Sequence, residues 1–268
     1  MDSLPQYEIY AIKYAQREAR RAEHFIGGDP HDAPMPMDYF TWVVKGRDRI
    51  VVVDTGFTAE VAAQRKRQWL RCPVASMSRL GIEPDQIKDV VITHLHYDHV
   101  GNFHKYPAAQ FHLQEREMHF ATGHYARYPR IAHGFEVEDV VGMVRLNFKG
   151  RVEMHRGDVD LAPGISLHHV GGHTDGLQIV RVNTQRGWVV LASDAAHYFE
   201  HLRTNRPFVS AFHVGAMIDA FRTVERLAAS AHHIIPGHDP LVMRLYPPAA
   251  PELEGIIVRL DMAPRTQS

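Results

Sequence analysis

Short apolar runs, each about the length of a β-strand, recur along the chain. Residues 39–44 and 49–53 flank the polar, glycine-containing segment 45–48, and this pattern predicts a β-hairpin. Apolar and polar positions predict helices over residues 59–80, with a break at Pro73, and over 115–122 and 214–230. Further strands are predicted at residues 89–93, 110–114, 165–170, 177–182 and 188–193. Because strands and helices are interleaved, both a pair of sheets between helices and one large mixed sheet fit this order.

Two segments rich in glycine and proline are predicted to be long loops. They are residues 24–37 and 123–137, and the second also contains Tyr125, Tyr128 and Phe135. Long loops of this kind either form the walls of a binding pocket or are ordinary surface connections. Both readings are open for both loops.

The charge balance excludes several classes of partner. The chain has 30 Lys and Arg against 31 Asp and Glu, so it lacks the basic excess that binding to nucleic acid requires. No apolar run has the length of a membrane span, and residues 1–21 lack the apolar core of a secretory signal. We therefore expect no nucleic-acid partner, no membrane partner and a cytoplasmic location.

Histidine dominates the candidate chemistry. The chain of 268 residues contains 20 histidines and a single cysteine, Cys72. One cysteine excludes an internal disulfide framework and a thiolate-rich zinc module. A metal site in this protein would therefore be made of imidazole and carboxylate ligands.

Four of these groups lie together in the segment His94-Leu95-His96-Tyr97-Asp98-His99. His94 and His96 are two residues apart, so their imidazoles lie on one side of an extended segment. Asp98 and His99 follow where the chain turns and can face the same cavity. A histidine-rich loop without function is the alternative, but such a buried cluster would be costly to fold without a compensating ligand.

Three further candidate ligands follow predicted strands. His173 lies in a glycine-rich turn, Asp194 ends the strand at residues 188–193, and His238 ends the apolar run at 234–236. With the first cluster they make a set of five histidines and two aspartates. This set suits two metal ions if one carboxylate bridges them.

The same seven positions resemble the metallo-β-lactamase superfamily. Within it, the chain is similar to the N-acyl homoserine lactonase family through Leu80-Gly81-Ile82, residues 111–118 and Ser193-Asp194-Ala195-Ala196. The resemblance implies a single domain over residues 1–268, an α/β protein with an αββα sandwich and the metals at one edge of the sheets. It assigns His94, His96 and His173 to one ion, Asp98, His99 and His238 to the other, and Asp194 to the bridge. True β-lactamases usually have a cysteine at the position of Asp194, which argues against antibiotic hydrolysis.

The substrate contacts are less well defined by the resemblance. Related lactonases commonly have a tyrosine three residues after the bridging aspartate, where this chain has His197, with Tyr198 one residue further on. Either side chain is a candidate donor to a developing oxyanion. His213 lies in a segment that borders the substrate in related lactonases, and it is a candidate for lining the pocket.

The predicted reaction is the opening of a lactone ring, of an N-acyl homoserine lactone or a related lactone. Two divalent ions about 4 Å apart can share a hydroxide at neutral pH, and this hydroxide would attack the carbonyl. Asp98 would orient the hydroxide or pass its proton to the leaving alkoxide. Zinc is the default metal for these ligands, with iron, manganese and cobalt as alternatives. The family resemblance suggests a homodimer.

Three other functions compete with this prediction. A thioesterase of the type II glyoxalase kind uses nearly the same ligands, although the segment 241–268 contains Pro247, Pro248 and Pro251 and lacks a strongly basic character. A redox di-iron protein of the superfamily usually has a carboxylate at the position of His96. A metal sensor without turnover would be expected to have lost ligands, and this chain has all seven.

Overall fold

The computed structural model describes residues 4–265. The ends of the predicted domain, residues 1 and 268, lie outside the described residues, and the division into one domain stays a prediction. Among the described residues, no helix is both long and apolar enough to cross a membrane.

Thirteen β-strands are distributed along residues 4–265. In chain order they are β1 Glu8–Arg17, β2 Met37–Lys45, β3 Ile50–Val53, β4 Gln68–Trp69, β5 Asp89–Val91, β6 Gln110–Gln114, β7 Val152–His155, β8 Val159–Ala162, β9 Ile165–His169, β10 Gln178–Thr184, β11 Gly187–Ser193, β12 Ile234–Pro236 and β13 Ile257–Arg259.

The helices alternate with these strands. They are α1 Ala59–Gln64, α2 Pro73–Ser76, α3 Tyr97–Val100, α4 Glu115–Thr122, α5 Pro129–Ala132, α6 Val137–Phe148, α7 Phe199–Thr204, α8 Val214–Leu227 and α9 Leu241–Leu245. Short 3₁₀ helices lie at Arg21–Glu23, Met77–Leu80, Pro84–Gln86, Phe103–Lys105, His124–Arg127, Ala231–His233 and Pro251–Leu253.

The strands make two sheets. The first has the order β13-β1-β2-β3-β5-β6-β7, with β4 paired to β1, and β3, β5, β6 and β7 run parallel to one another. The second has the order β12-β11-β10-β9-β8 and is antiparallel except where β12 pairs with β11. In both sheets a parallel stretch brings successive strand ends to one edge, which is where functional residues of such sheets collect.

Alternate residues of the strands divide the core into layers. One face of the first sheet contributes Trp42 and Val53 to a cluster that also contains Val180 and Leu191 of the second sheet. The other face of the first sheet packs against helices that include α4 and α6, and the outer face of the second sheet packs against α8. The predicted αββα sandwich is confirmed.

Most of the predicted elements are present, with a few differences. The hairpin is formed by β2 and β3, and the predicted elements at residues 110–114 and 115–122 coincide with β6 and α4. The region 59–80 contains α1, α2 and a 3₁₀ turn, as its proline suggested, but the two-residue strand β4 interrupts it. Strand β1 and helix α6 were not predicted.

Candidate active site

The candidate ligands come from loops that follow strands of both sheets. His94 and His96 lie just beyond β5, and the short helix α3 that follows carries Asp98 and His99. The four side chains of the motif therefore lie in the short loop and helix that follow a buried parallel strand. The predicted clustering of the motif is therefore present in the structure.

His173 is delivered by a turn that only glycine can make at this position. Gly172 has a φ of +92°, and a Cβ atom there would lie 2.7 Å from the backbone nitrogen of Met217 in α8. The missing side chain lets α8 pack directly on the turn. Asp194 directly follows β11 and His238 follows β12, so adjacent parallel strands place them side by side.

The first group of ligand atoms comes from His94, His96 and His173. Nδ1 of His96 lies 2.8 Å from Nε2 of His173. One carboxylate oxygen of Asp194, Oδ2, lies 3.3 Å from Nε2 of His173 and 3.9 Å from Nε2 of His94. Three imidazole nitrogens and one carboxylate oxygen thus surround a common point.

The second group comes from Asp98, His99 and His238. Oδ1 of Asp194, its other oxygen, lies 3.1 Å from Nε2 of His238 and 3.4 Å from Nε2 of His99. Oδ2 of Asp98 lies 3.7 Å from each of these two nitrogens. Because its two oxygens face different groups, Asp194 has the position of a bridging carboxylate.

The donor atoms fit divalent metal ions. Nε2 of His94 and Nε2 of His99 are buried and have no hydrogen-bond partner among residues 4–265. An unpartnered buried imidazole nitrogen costs free energy, which a metal ion at the centre would remove. Nitrogen and carboxylate ligands in groups of three with a shared carboxylate suit two such ions.

Hydrogen bonds at the outer nitrogens aim several of these rings inward. Nδ1 of His99 lies 2.7 Å from a carboxylate oxygen of Asp54, and Nδ1 of His173 and of His238 lie 2.9 and 2.8 Å from backbone carbonyl oxygens. The carbonyls only accept, so Nδ1 carries the proton in the latter two rings and leaves Nε2 free as a ligand atom.

The pKa values of the histidines shift in opposite directions in the two ligand groups. Burial lowers the pKa of His94 and His96 well below its usual range, so both rings are neutral, as metal ligands must be. Burial opposes a positive charge on His99 as well, but Asp54, Asp194 and Asp98 outweigh it and raise the pKa of His99 to about 10. The carboxylates therefore favour a cation in this half.

Asp54 is a functional residue that the sequence analysis missed. Its carboxylate accepts hydrogen bonds from the backbone nitrogen and the hydroxyl of Thr93, at 2.7 and 2.8 Å, and also contacts Nδ1 of His99. Its φ of +59° turns the chain at the end of β3. Neither the burial of Asp54 nor its left-handed conformation is visible in the sequence, so no local signal marked this residue.

Glu117 is a second residue that was missed. Its buried carboxylate in α4 accepts the N–H of Leu95, at 2.9 Å, and the N–H of Gly176, at 3.1 Å. Leu95 stands between His94 and His96, and Gly176 follows the turn that carries His173. Glu117 therefore ties together the two loops that supply the first ligand group, and burial raises its pKa to about 7.

A cavity of about 370 Å³ opens onto the ligand cluster, a size that suits a small molecule. His96, Asp98, His173, Asp194 and His238 contribute to its wall. Both predicted long loops supply wall residues too: 24–37 through its two end residues, and 123–137 through Arg130, Ile131, His133 and Gly134. The pocket-wall reading of these loops is confirmed.

His197 lines this cavity beside the ligands. Its Nε2 lies 2.9 Å from Oδ2 of Asp194, and its ring stacks on Phe208 with 3.5 Å between the ring centres. With His173 and Asp194 it forms a further group of candidate ligand atoms. Burial lowers the pKa of His197 well below its usual range, so the ring is neutral and carries one N–H.

Tyr198 and His213 are placed differently from the prediction. The hydroxyl of Tyr198 is directed to the loop 24–37, where it donates to the carbonyl oxygen of Pro36 at 3.1 Å, and Tyr198 is not among the cavity residues. His213 is exposed and caps α8, because its Nδ1 accepts the N–H of Ala216 at 3.0 Å. Neither residue is among those that line the cavity, and their assignment as substrate contacts stays a prediction.

Known proteins with similar sequences are N-acyl homoserine lactonases. One from Azorhizobium caulinodans, AttM, is 28% identical over 237 residues, which cover 80% of this chain and 84% of the relative. One from a Bacillus species is 27% identical over 164 residues, which cover 61% of this chain and 60% of the relative. The match thus spans less than two thirds of the Bacillus enzyme.

A similar fold occurs in solved structures. An N-acyl homoserine lactone hydrolase with N-hexanoyl-L-homoserine at its catalytic metal centre aligns with a TM-score of 0.75 and 18% identity, over 90% of this chain and 96% of that one. At this identity the likeness shows the fold alone.

The family match covers most of the chain and includes every residue of the ligand cluster. Residues 36–242 match the Metallo-beta-lactamase superfamily, and the segment begins at the cavity loop and ends just beyond His238. The prediction of a metal-dependent hydrolase is confirmed at this level, and divalent metal ions are implied by the fold and fitted by the donor atoms. This protein belongs to the metallo-β-lactamase superfamily.

Proposed function

We propose that this protein is a dinuclear metal hydrolase that opens a lactone ring, that of an N-acyl homoserine lactone or a related lactone. The observation that carries the proposal is the position of Asp194, whose two oxygens face the two ligand groups inside a cavity of small-molecule size. The lactonase names of the similar proteins support the choice of substrate class.

The proposed ligands are assigned to the two metal ions according to the positions of their donor atoms. His94, His96 and His173 would hold one ion, Asp98, His99 and His238 the other, and Asp194 would bridge them. Divalent ions bound there would polarise a substrate carbonyl and lower the pKa of water toward neutrality. Zinc is our proposal for the metal, with iron, manganese and cobalt as the alternatives to be tested.

The protein's own side chains would then act on the substrate and its protons. Asp98 lines the cavity next to the second ligand group and is our candidate for orienting the attacking water and moving its proton to the leaving alkoxide. His197 is our candidate donor to the carbonyl oxygen because it lines the cavity; its single N–H, on Nε2, donates to Oδ2 of Asp194 in this structure and would turn to the substrate when Asp194 holds the metal ions. Tyr198 is the second candidate for this role, although its hydroxyl donates to the carbonyl oxygen of Pro36.

The first experiment measures proton release when the purified protein meets N-acyl homoserine lactones of several chain lengths, simpler lactones and one glutathione thioester. Each assay is repeated after chelation and after adding back one metal at a time. Lactone turnover that is lost on chelation and restored by a divalent metal supports the proposal. Turnover of the thioester alone identifies a thioesterase, and no turnover by protein with two bound metals refutes the substrate class.

Two neighbouring substitutions test the assignment of the donor. His197→Phe is expected to lower kcat on the best lactone by about 100-fold, the usual effect of losing one oxyanion donor. Tyr198→Phe is the matched control: it loses hydrogen bonds to the loop 24–37 and is expected to cost about 1 kcal/mol of stability while kcat stays near the wild-type value. A large loss of kcat in Tyr198→Phe alone would reverse the assignment.

Two further proposals concern the cellular location and the oligomeric state of the protein. We propose a cytoplasmic location and a homodimer. Cell fractionation and measurement of the mass in solution test these two points.

A further inference from the structure

Arginines are unusually frequent on the wall of the cavity. Two of them have carboxylate partners: Arg65 pairs with Glu136 at 2.7 Å, and Arg17 lies 3.5 Å from Glu23. Within the part of the chain that the structure describes, Arg67 forms no ion pair with a carboxylate. The arginines of the wall are Arg17, Arg65, Arg67 and Arg130.

The guanidinium of Arg67 is only partly satisfied by the protein. Its Nε donates to the hydroxyl of Tyr97 at 3.1 Å, and that hydroxyl lies 3.3 Å from the hydroxyl of Tyr39. A guanidinium carries five N–H donors, and among residues 4–265 no acceptor is in hydrogen-bond contact with its terminal nitrogens, Nη1 and Nη2. The half-buried group therefore presents free donors and an unpaired charge to the cavity.

A second cation, the guanidinium of Arg65, lies near the same tyrosine ring. The guanidinium carbon of Arg65 lies 3.9 Å from the centre of the Tyr97 ring, and that of Arg67 lies 6.0 Å from the same centre. Two guanidinium groups therefore lie near one aromatic ring, and of the two only Arg65 forms an ion pair with a carboxylate among residues 4–265, although the charge of Asp98 also acts on Arg67. An anion in the cavity at Arg67 would balance the second charge.

The tyrosines beside Arg67 lie next to the candidate ligand cluster. Tyr97 directly precedes Asp98 in the chain, and the ring of Tyr39 packs edge-on against His238 with 5.1 Å between the ring centres. Another part of the cavity wall is apolar and contains Phe120 and Phe212, whose ring centres are 4.7 Å apart. The cavity thus offers an apolar surface and a cationic one close to the same ligand cluster.

We propose that the natural substrate is a lactone that carries a carboxylate besides its ring and an apolar portion, and that Arg67 binds this carboxylate. The inference rests on the proposed lactonase function and narrows it. A neutral lactone would leave the charge and the free N–H groups of Arg67 without a partner, whereas a carboxylate accepts two parallel hydrogen bonds from a guanidinium.

The test compares two lactones that differ only at the end of the side chain. One is an N-acyl homoserine lactone whose acyl chain ends in a methyl group, and the other has the same chain ending in a carboxylate; a simple γ-lactone pair is built in the same way. The wild-type protein is expected to prefer the carboxylate form by about 10- to 100-fold in kcat/KM, the range of a charge-assisted hydrogen bond.

Substitutions of Arg67 then show whether this residue is responsible. Arg67→Met is expected to lose most of the preference through a higher KM for the carboxylate form, and Arg67→Lys to recover part of it, because the charge is kept while the planar fork is lost. Arg222→Met is the control, since Arg222 is exposed on α8 and its one ion pair among residues 4–265 is with exposed Asp219. It is expected to keep the full preference, and metal content is measured in every variant.

The outcomes separate this inference from the proposed function. If the wild-type protein opens both members of a pair with equal kcat/KM, or if Arg67→Met keeps the preference, the carboxylate proposal is wrong and the lactonase proposal stands. If no lactone is opened by protein with two bound metals, the lactonase proposal fails and this inference fails with it. Should Arg67→Met not fold, the wild-type comparison and Arg67→Lys still decide the question.

Discussion

Gly134 packs against a candidate metal ligand so closely that a single methyl group should disturb the site. A Cβ atom at this position would lie 2.3 Å from Nε2 of His96 and 2.5 Å from Cδ2 of the same ring. Non-bonded heavy atoms are comfortable only beyond about 3.5 Å, so Gly134→Ala requires the ring or the loop to move by about 1 Å.

We expect the His96 ring to move rather than the loop that contains Gly134, because a hydrogen bond fixes the backbone of that loop. The carbonyl oxygen of Gly134 accepts the N–H of Tyr97 at 2.9 Å, which fixes the backbone beside the ligand motif. Phe135 packs edge-on against the ring of His96, and His173 lies on another side with Nε2 2.8 Å from Nδ1 of His96. A metal–nitrogen distance tolerates only about 0.2 Å of error, so a shift of about 1 Å should remove His96 as a ligand.

The assay is a metal titration of the apoprotein against a competing chelator, with bound metal counted by elemental analysis. Gly134→Ala is expected to bind one of the two ions about 10- to 100-fold more weakly and the other nearly normally. The double variant with His96→Ala is the control: if the methyl group acts through His96, the second substitution adds little to the first. Wild-type affinity for both ions in Gly134→Ala would show that the loop yields instead and would refute the reasoning.

Two further substitutions test other parts of the structure. Burial and the neighbouring Glu136 raise the pKa of Asp139 from 3.8 to about 6, so its ionised form destabilises the fold; Asp139→Asn should add about 1–2 kcal/mol of stability in denaturant unfolding at pH 8, and this gain should shrink as the pH falls through 6 toward 4. Asp54→Asn should weaken one ion by about 10- to 100-fold in the same metal titration, because His99 loses the charged partner that orients it; equal affinities in variant and wild type would contradict this.

The candidate metal ligands could be grouped from the sequence because each follows a local pattern. His94, His96, Asp98 and His99 are adjacent in the chain, and the more distant ligands each stand just after an apolar run of strand length. Parallel strands bring such ends to one edge of a sheet, so the pattern along the chain carries over into proximity in space. The ligand set is therefore largely encoded by local sequence.

The residues that support these ligands could not be predicted in the same way. Asp54 reaches His99 because β3 and β5 are neighbours in the sheet, with Val53 opposite Val91, although 45 positions separate the two side chains. Glu117 joins two loops through backbone N–H groups, which have no sequence signature. Such contacts depend on strand order, which the apolar pattern leaves open.

Strand β1 was missed for a related reason. A strand with one exposed face alternates between apolar and polar residues, but both faces of β1 are covered in the middle of the strand. Ile9 and Ala11 pack between the sheets, and Tyr10 and Ile12 pack on the opposite face. The residues therefore show no alternation, and with polar residues at both ends the segment did not resemble a strand.

The choice between His197 and Tyr198 shows where the family pattern stops being informative. Ser193, with a φ of +45°, turns the chain after β11, and the next residues leave the sheet without a fixed alternation of faces. Which of the two side chains enters the cavity then depends on contacts with segments distant in sequence. Phe208 takes the ring of His197, and the loop 24–37 takes the hydroxyl of Tyr198.

The type of reaction could be predicted from the family pattern, whereas the choice of substrate could not. The ligand cluster is formed by strand ends within the matched family segment, so membership of the superfamily accounts for a metal-dependent hydrolase. Much of the rest of the cavity wall lies outside the strands, including Arg67 between α1 and β4, Arg130 in α5 and Phe212 before α8. Substitutions of Arg67, Arg130 and Phe212 should change the substrate preference while metal affinity stays the same, because they alter the charge and shape of the wall without contacting the candidate ligand nitrogens.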